Sequence, residues 1–393
     1  MEMHHIQTYT YLEDTILNLF TAINLHLSKP LKTTLVELIV CLLENNKAHI
    51  SKMGENLSDK NANVMACIQR IRRFLSNPKI SPTLTVRPLI YLMRPLLEKL
   101  SEIVLIVDRT DWEKRRRYIN ILSVAVSYKG RALPLFWIVF GRKGCSSFDQ
   151  WKQVLSPVIE GLQQMPWLSD KTIHIHVVAD REFASPKLAE WLKTIYDVTV
   201  TLRIKSSMYL TGDHLPEVKV ASLIQKMVKG SRHILYDQLL TRDSGFKMNV
   251  LLTWNEEYDE PLVVATTSEN PSTADTTYGE RFNIEPMHRD WKSTAFDLEK
   301  TRVTDPKRIE TLLIPIAFAY ILCMFEGEKK EQNGDVRTPP KGKTRMVSLF
   351  LSGLRAISRH LRRASFKQFK QFILQLLRPF FQTWNIKPST IVH

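Results

Sequence analysis

The chain has 393 residues, 44% hydrophobic and 24% charged, a globular composition that excludes a disordered or fibrous protein. Lys and Arg number 55 against 40 Asp and Glu, and the net charge of +15 favours a polyanionic partner, either nucleic acid or an anionic membrane. The 4 cysteines (Cys41, Cys67, Cys145, Cys323) are scattered and form no CxxC pair, which argues against a zinc site or a disulfide framework.

Residues 1 to about 95 read as helical. Thr33–Asn45 is one apolar-rich helix. A second is expected over Asn61–Ser76, where Val64, Cys67, Ile68, Ile71 and Leu75 form a stripe at helical spacing. Gln69, Arg70, Arg72 and Arg73 take its remaining surface. That face is either solvated or the reading surface of a helix-turn-helix, with Arg70 and Arg73 as DNA contacts.

From 102 the pattern turns to α/β. Ile103–Val107 is a β-branched run expected to stop at Asp108. Ile119–Tyr128 and Ala132–Phe140 flank Lys129-Gly130 and read as a hairpin. A helix over Ser146–Met165, a strand over Ile173–Ala179 ending at Asp180, a helix over Pro186–Thr194 and a strand over Val198–Ile204 follow. Mixed strand directions are implied. Residues 205–272 are expected to be a β-rich insertion, with Met248–Trp254 and Leu262–Thr267 paired around Glu256–Glu260. Beyond it lie a helix around Thr276–Thr294, a buried helix at Thr311–Phe325, a charged Pro/Gly-rich loop over 327–344, and a basic amphipathic tail in which Leu351, Leu354, Ile357 and Leu361 face one way. The apolar run Thr311–Phe325 is short of the ~18 residues a membrane span needs and holds Pro315, so no membrane is expected. MEMHHIQTYT lacks the pattern of a secretory leader, and a cytoplasmic location is expected.

Two aspartates close apolar strands: Asp108 in IVLIVDRTDW and Asp180 in IHVVADREF. Ligand sites gather at such strand ends, although an Asp there is also a common turn former or cap. TYGERFNIEPMHRDWKS is more specific. Tyr278, Arg281, Glu285 and Lys292 stand at offsets of 3, 7 and 14, which on a helix return to within about 60° of one face. Phe282, Ile284 and Trp291 are left to pack behind them, and Pro286 predicts a kink or restart at Glu285. Phosphodiester chemistry with two hard cations needs a few carboxylates, with Arg or Lys beside them to hold phosphates.

Among neighbouring groups, Asp111 reads as a local cap past the strand end and Lys114–Arg117 as a phosphate contact or a solvated loop. His174 and His176 read as structural, and His288 is placed one turn beyond Glu285, within reach of a metal.

The Asp ending the first strand, the D-R-E-F after a later strand and the Y-R-E-K spacing resemble the bacterial DDE transposases of the Y-R-E-K group (the insertion-sequence-four family), over roughly residues 102–310. The resemblance implies an RNase H-like catalytic core, a mixed sheet with flanking helices, interrupted by a β-rich insertion, with helical N- and C-terminal regions. In these terms the chain divides into a helical DNA-binding region (1–98), the core's first part (99–204), the insertion (205–272), the core's second part (273–326), a mobile loop (327–344) and a basic helical region (345–393).

The same resemblance implies Asp108, Asp180 and Glu285 as catalytic metal ligands for two Mg²⁺ ions, with Mn²⁺ substituting. It implies Tyr278, Arg281, Lys292 and Arg203 as contacts to DNA. The activity implied is cleavage at transposon ends and cut-and-paste strand transfer. The partners implied are terminal inverted repeats, target DNA and a second copy in a synaptic homodimer, at the nucleoid when bound. Relatives that cut through a DNA hairpin stack a flipped base on an aromatic; where it would align, this chain has Leu262 or Val263, with Trp254 on the adjoining strand as the candidate for base stacking. The alternatives are an RNase H-like nuclease without strand transfer and a domesticated, catalytically inactive DNA-binding protein.

Overall fold

The computed structural model describes residues 2–57, 63–114, 116–169, 173–213, 215–241, 245–335 and 347–383. Five helices come first: α1 (Glu2–Ala22), α2 (Lys29–Asn45), α3 (Ile50–Leu57), α4 (Val64–Leu75) and α5 (Val86–Leu97). Helix α2 starts with Pro30 in its first turn, where the missing amide is harmless, and stops at Asn46 in the left-handed conformation. Helix α4 is capped by Asn63, whose side chain accepts the Ala66 amide at 2.8 Å. Residues 61–62 of the expected helix lie outside the described residues. Val64, expected in the buried stripe, is 37% exposed. It sits at the first helical turn, where the inward face is taken up by Cys67, Ile68 and Ile71.

The sheet is built from β1 (Glu102–Lys114), β2 (Arg117–Tyr128), β3 (Arg131–Phe140), then, after helices α6 (Phe148–Gln163) and α7 (Pro166–Ser169), β4 (His174–Ala179). Helix α8 (Pro186–Tyr196) leads to β5 (Thr199–Arg203). Lys129 and Gly130 both take positive φ, 47° and 77°, which suits the twist of the β2–β3 hairpin. Helix α6 opens with a capping box between Ser147 and Gln150. Strands β1, β4 and β5 are mutually parallel neighbours; β1–β2 and β2–β3 are antiparallel.

Residues 205–272 supply β6 (Tyr209–Gly212), β7 (Leu215–Lys219), a short helix α9 (Val220–Ile224), β8 (Arg232–Leu239), β9 (Lys247–Thr253) and β10 (Leu262–Thr266). Strand β10 pairs antiparallel with β5, Val264 opposite Arg203. The segment therefore extends the same sheet, whose order is β3-β2-β1-β4-β5-β10-β9-β8-β6-β7. This mixed architecture is compatible with an RNase H-like core.

The remaining elements are α10 (Ala274–Gly279), α11 (Ile284–Arg289), α12 (Pro306–Gln332), α13 (Leu349–Arg363) and α14 (Phe366–Thr383). Helix α12 is long and apolar enough to cross a membrane by length and composition, but its apolar window is 100% buried. It packs against β3 on one side and against α2 and α13 on others, so its hydrophobic residues surround the axis rather than form a stripe. One contiguous hydrophobic core joins the N-terminal helices, the sheet, α12, α13 and α14.

The loop expected from Gly327 is displaced: α12 continues to Gln332. Glu328 holds this last part by accepting from Lys99 and Lys129, both at 3.3 Å. Residues 336–344 of that expected loop lie outside the described residues. Gly327 and Gly353 let α12 and α13 touch backbone to backbone; a Cβ on Gly353 would run into the carbonyl of Cys323 and come within 2.9 Å of the Gly327 amide nitrogen. Helix backbone cannot yield as a flexible side chain would. Gly353→Ala is expected to destabilise the protein by about 1–3 kcal/mol, the usual penalty of overpacking, while Gly245→Ala, with nothing within 4 Å of its added methyl, leaves the unfolding midpoint nearly unchanged. Urea or thermal denaturation of the two variants checks this.

Candidate active site

Strands β1 and β4 stay paired up to Val107 opposite Ala179 and then part. The next residues are Asp108 and Asp180, so two carboxylates face one another across a fork at the carboxyl ends of adjacent parallel strands. Asp108 does not end its strand, as its flanking sequence suggested. Strand β1 runs on to Lys114 because β2 keeps pairing with it, from Asp108 opposite Ser123 to Lys114 opposite Arg117. Asp111, expected to cap the strand end, lies within this two-stranded arm opposite Asn120, 3.8 Å from Arg109 Nη1.

The third wall is the segment 274–294. It is helical throughout but changes pitch: α10, a 3₁₀ turn over Glu280–Asn283, α11, then a π turn over Asp290–Thr294. The 3₁₀ turn and restart fall just ahead of Pro286, which then occupies the first turn of α11 where no amide is required. Tyr278 is buried and its hydroxyl donates to Asp180 Oδ1 at 3.0 Å. Arg281, 8% exposed, donates through Nη1 to Asp108 Oδ2 at 3.3 Å and through Nη2 to Glu285 Oε1 at 2.6 Å. One guanidinium thus bridges the fork and the helix.

Two serines that sequence reasoning passed over fasten this segment to β2. Ser127 and Asn283 both donate to Glu280 Oε2, and Asn283 also reaches Ser127 Oγ at 2.8 Å. Ser123 donates to the Asp108 carbonyl at 3.3 Å and lies 2.9 Å from His288 Nε2. The Ser123 hydroxyl thus links the Asp108 backbone to the His288 ring. Through Ser123, His288 braces the backbone of Asp108. The two serines sit four residues apart on one strand face inside an apolar run, a signal the sequence carried.

Glu182 of the D-R-E-F stretch is a second brace. It accepts Arg109 Nε at 2.9 Å, and the amide and hydroxyl of Ser146 at 2.9 and 2.8 Å, tying the β1 arm to the loop before α6. Phe183 of the same stretch packs on Trp151.

Burial pushes the Asp108 carboxyl up to about 6, with the charges of Asp180 and Glu285 adding to it against the pull of Arg281 and the Arg109 amide. Burial acts the same way on Asp180, but there the Arg181 amide, Arg281, the Tyr278 hydroxyl and Arg203 outweigh it, and its carboxyl lies below the usual range. Burial and the Asp180 charge raise the Tyr278 phenol, which keeps it a donor. The cluster remains short of positive charge even with Arg281 in place. Oxygen donors around such a deficit suit a hard divalent cation. Among the described residues no three ligating side chains stand at ligand distance; Arg281 holds the carboxylate oxygens of Asp108 and Glu285.

Arg203, closing β5, acts electrostatically on both Asp180 and Tyr278 and lies 3.9 Å from Glu260. Lys292 stands away from the carboxylates: its ammonium donates to the Asp111 carbonyl at 2.9 Å and lies 3.3 Å from Glu299. Phe282, expected to pack, is 49% exposed, with the Arg281 guanidinium 4.8 Å from its ring centre. Ile284 and Trp291 are buried as expected. Trp254 donates to the Tyr258 carbonyl at 3.0 Å, closing the β9–β10 turn. Arg70 pairs with Glu37 at 3.0 Å, and Arg73 is exposed on α4. Of Lys114–Arg117, Lys114 donates to the carbonyls of Glu299 and Thr301, and Arg115 lies outside the described residues. His176 bridges Glu102 and Thr201 inside the sheet, a structural role.

The sheet, read inward from its β3 edge, is ordered β3-β2-β1-β4-β5 and carries acidic groups at the fork of the parallel β1–β4 pair, an arrangement compatible with an RNase H-like core. The family model of the transposase DDE domain matches residues 99–322, more than half of the chain, and the chain belongs to that family. The protein is thus a nuclease-type enzyme of DNA transposition, and its family generally uses divalent metal ions. No curated protein matches the chain.

His288 is buried and held neutral, its protonation pushed from 6.5 down to about 3 by burial and by Lys292 and Arg281. In the unfolded chain the imidazole protonates near its ordinary value, so the unfolded state binds the extra proton below it. Stability from this group is complete above pH 6.5 and drains away as pH falls toward 3, at up to about 1.4 kcal/mol per pH unit. His288→Gln is expected to flatten the fall in unfolding free energy between pH 6.5 and 4; parallel profiles for wild type and variant would rule this out.

Proposed function

We propose that Asp108, Asp180 and Glu285 hold the metal ions of a transposase of the Y-R-E-K group that cleaves at the ends of its element and joins them to target DNA by cut-and-paste transfer. The observation that carries this is the bridge of Arg281 from Asp108 to Glu285 beside the Tyr278–Asp180 bond: one segment delivers the Tyr, Arg and Glu of the spacing to the fork that holds both aspartates. Two Mg²⁺ ions, with Mn²⁺ as substitute, would supply activation of water or a 3′-hydroxyl and stabilisation of the leaving oxygen.

The chain's own residues do the rest. Tyr278 fixes the rotamer of Asp180 by its hydrogen bond, and His288 with Ser123 fixes the backbone at Asp108. Arg281 and Arg203 present cationic charge where the backbone of a DNA end would lie, and Lys292 adds a contact farther along the β1 arm. Arg73, with Arg70 held by Glu37 beside it, is a contact on the N-terminal helices in this reading, and Trp254 the base-stacking candidate from the insertion. The enzyme acts as a homodimer on two element ends, in the cytoplasm.

Arg281 holds two of the three carboxylates that would hold a cation, so its guanidinium would compete with the cation for those oxygens and a DNA phosphate would offer it another anion. Arg281→Gln is expected to tighten Mn²⁺ binding to the DNA-free protein by about tenfold, the order of one charged hydrogen bond, in calorimetry or Mn²⁺ electron paramagnetic resonance; unchanged or weaker binding contradicts this competition. Asp108→Asn, Asp180→Asn and Glu285→Gln should each abolish Mg²⁺-dependent cleavage of duplexes carrying the DNA that flanks the gene, while retaining binding to them. A variant that still cleaves removes its residue from the site.

A further inference from the structure

The positive charge of this chain is not spread over it. After Asp335 the sequence holds 12 Lys and Arg and no Asp or Glu; up to and including Asp335, Lys and Arg outnumber Asp and Glu by only 3. Helix α13 carries the densest part. Arg355, Arg359 and Arg363 are all exposed and, among the described residues, none makes an ion pair. At four-residue spacing they stay within about 80° of one helix face.

The other face of α13 is fixed in the fold. Leu354, Ile357 and Leu361 are buried in the common core. Ser358 Oγ donates to the Glu44 carbonyl at the end of α2 at 3.0 Å, Arg362 donates to the same oxygen, and the His360 ring stacks on Phe372 of α14 at 3.9 Å. The arginines therefore stand on a rigid platform rather than on a loose tail. A solvated helix face normally mixes both signs of charge; this one carries one sign. An anionic bilayer would need an apolar face to insert beside the charge, and that face of α13 is already buried against the protein.

We propose that the exposed arginine row of α13 (Arg355, Arg359, Arg363) is a docking surface for the phosphate backbone of duplex DNA, separate from the Asp108–Asp180–Glu285 cluster. Two four-residue steps cover about 12 Å of helix, a length over which a duplex presents about seven phosphate charges. The contact is with backbone alone and is independent of base sequence, so it serves any duplex, whether element end or target. It puts the densest part of the chain's excess charge to work on the C-terminal helices, in addition to the exposed Arg73 of α4, beside which Arg70 is paired with Glu37.

The test is the salt dependence of binding by the full chain to a 30-base-pair duplex of arbitrary sequence, about three helical turns long. Replacing all three by glutamine (R355Q, R359Q, R363Q) should make the slope of log K against log salt shallower by about 2.7, the counterions released by three phosphate contacts, whereas the lysine triple (R355K, R359K, R363K) should keep the wild-type slope. An unchanged slope in the glutamine triple overturns the proposal. So does an equal loss in the lysine triple, which would show damage beyond lost charge, and so does loss of binding to phosphatidylserine vesicles with the DNA slope intact. The proposal stands apart from the active-site reading: Asp108→Asn leaves this slope alone, and if that variant cleaves normally the site assignment fails while the arginine surface does not.

Discussion

Strand β1 is paired on both sides as far as Val107 and on one side only beyond it. A sheet closes its central strands because every backbone donor and acceptor must be satisfied, and where one neighbour ends, the next side chains are freed from the ladder on that side. Asp108 and Asp180 occupy this point on neighbouring strands. The two carboxylates lie side by side because the ladder ends there, with β4 stopping at Ala179 while β1 runs on, and the rest of the site is arranged around that opening. The β1–β2 arm continues past it and brings Ser123 against Asp108, Arg109 against Glu182, and Asp111 against Lys292.

Placing acids at such a fork creates an electrostatic difficulty that the segment 274–294 manages. Like charges in a poorly hydrated cleft raise one another's protonation, and Asp108 shows this. Arg281 offsets part of the repulsion while Tyr278 satisfies Asp180 by a neutral donor. The changes of pitch along the segment turn Tyr278, Arg281 and Glu285 toward the fork, and the π turn leaves Lys292 on the arm.

Much of this was legible in the sequence. Apolar periodicity marked the helices, the Lys129-Gly130 hairpin and the strands leading to both aspartates, and the spacing of Arg281 and Glu285 put them one turn apart, where they pair. What was not legible has a common physical origin. The second half of β1, RTDWEK, has no apolar alternation because it is held by pairing with β2 and not by burial, so it read as loop. Strands β7 and β8 at the far edge are largely polar and exposed for the same reason. Ser123 and Ser127 stood out as two hydroxyls on one face of an apolar run, but their partners Asp108, His288 and Glu280 could be named only from the fold. The spacing also placed Arg281 as a grip for phosphate, but in the protein without DNA the nearest anions are its own carboxylates.

Helix α12 touches the sheet with one side and the N-terminal helices and α13 with others, so its greasy surface is covered only by all of these together. Many DNA-acting proteins diversify by exchanging a recognition module at a flexible joint. In this chain, removing α1–α5 would strip part of the cover from a membrane-grade helix and leave a sticky, aggregation-prone surface.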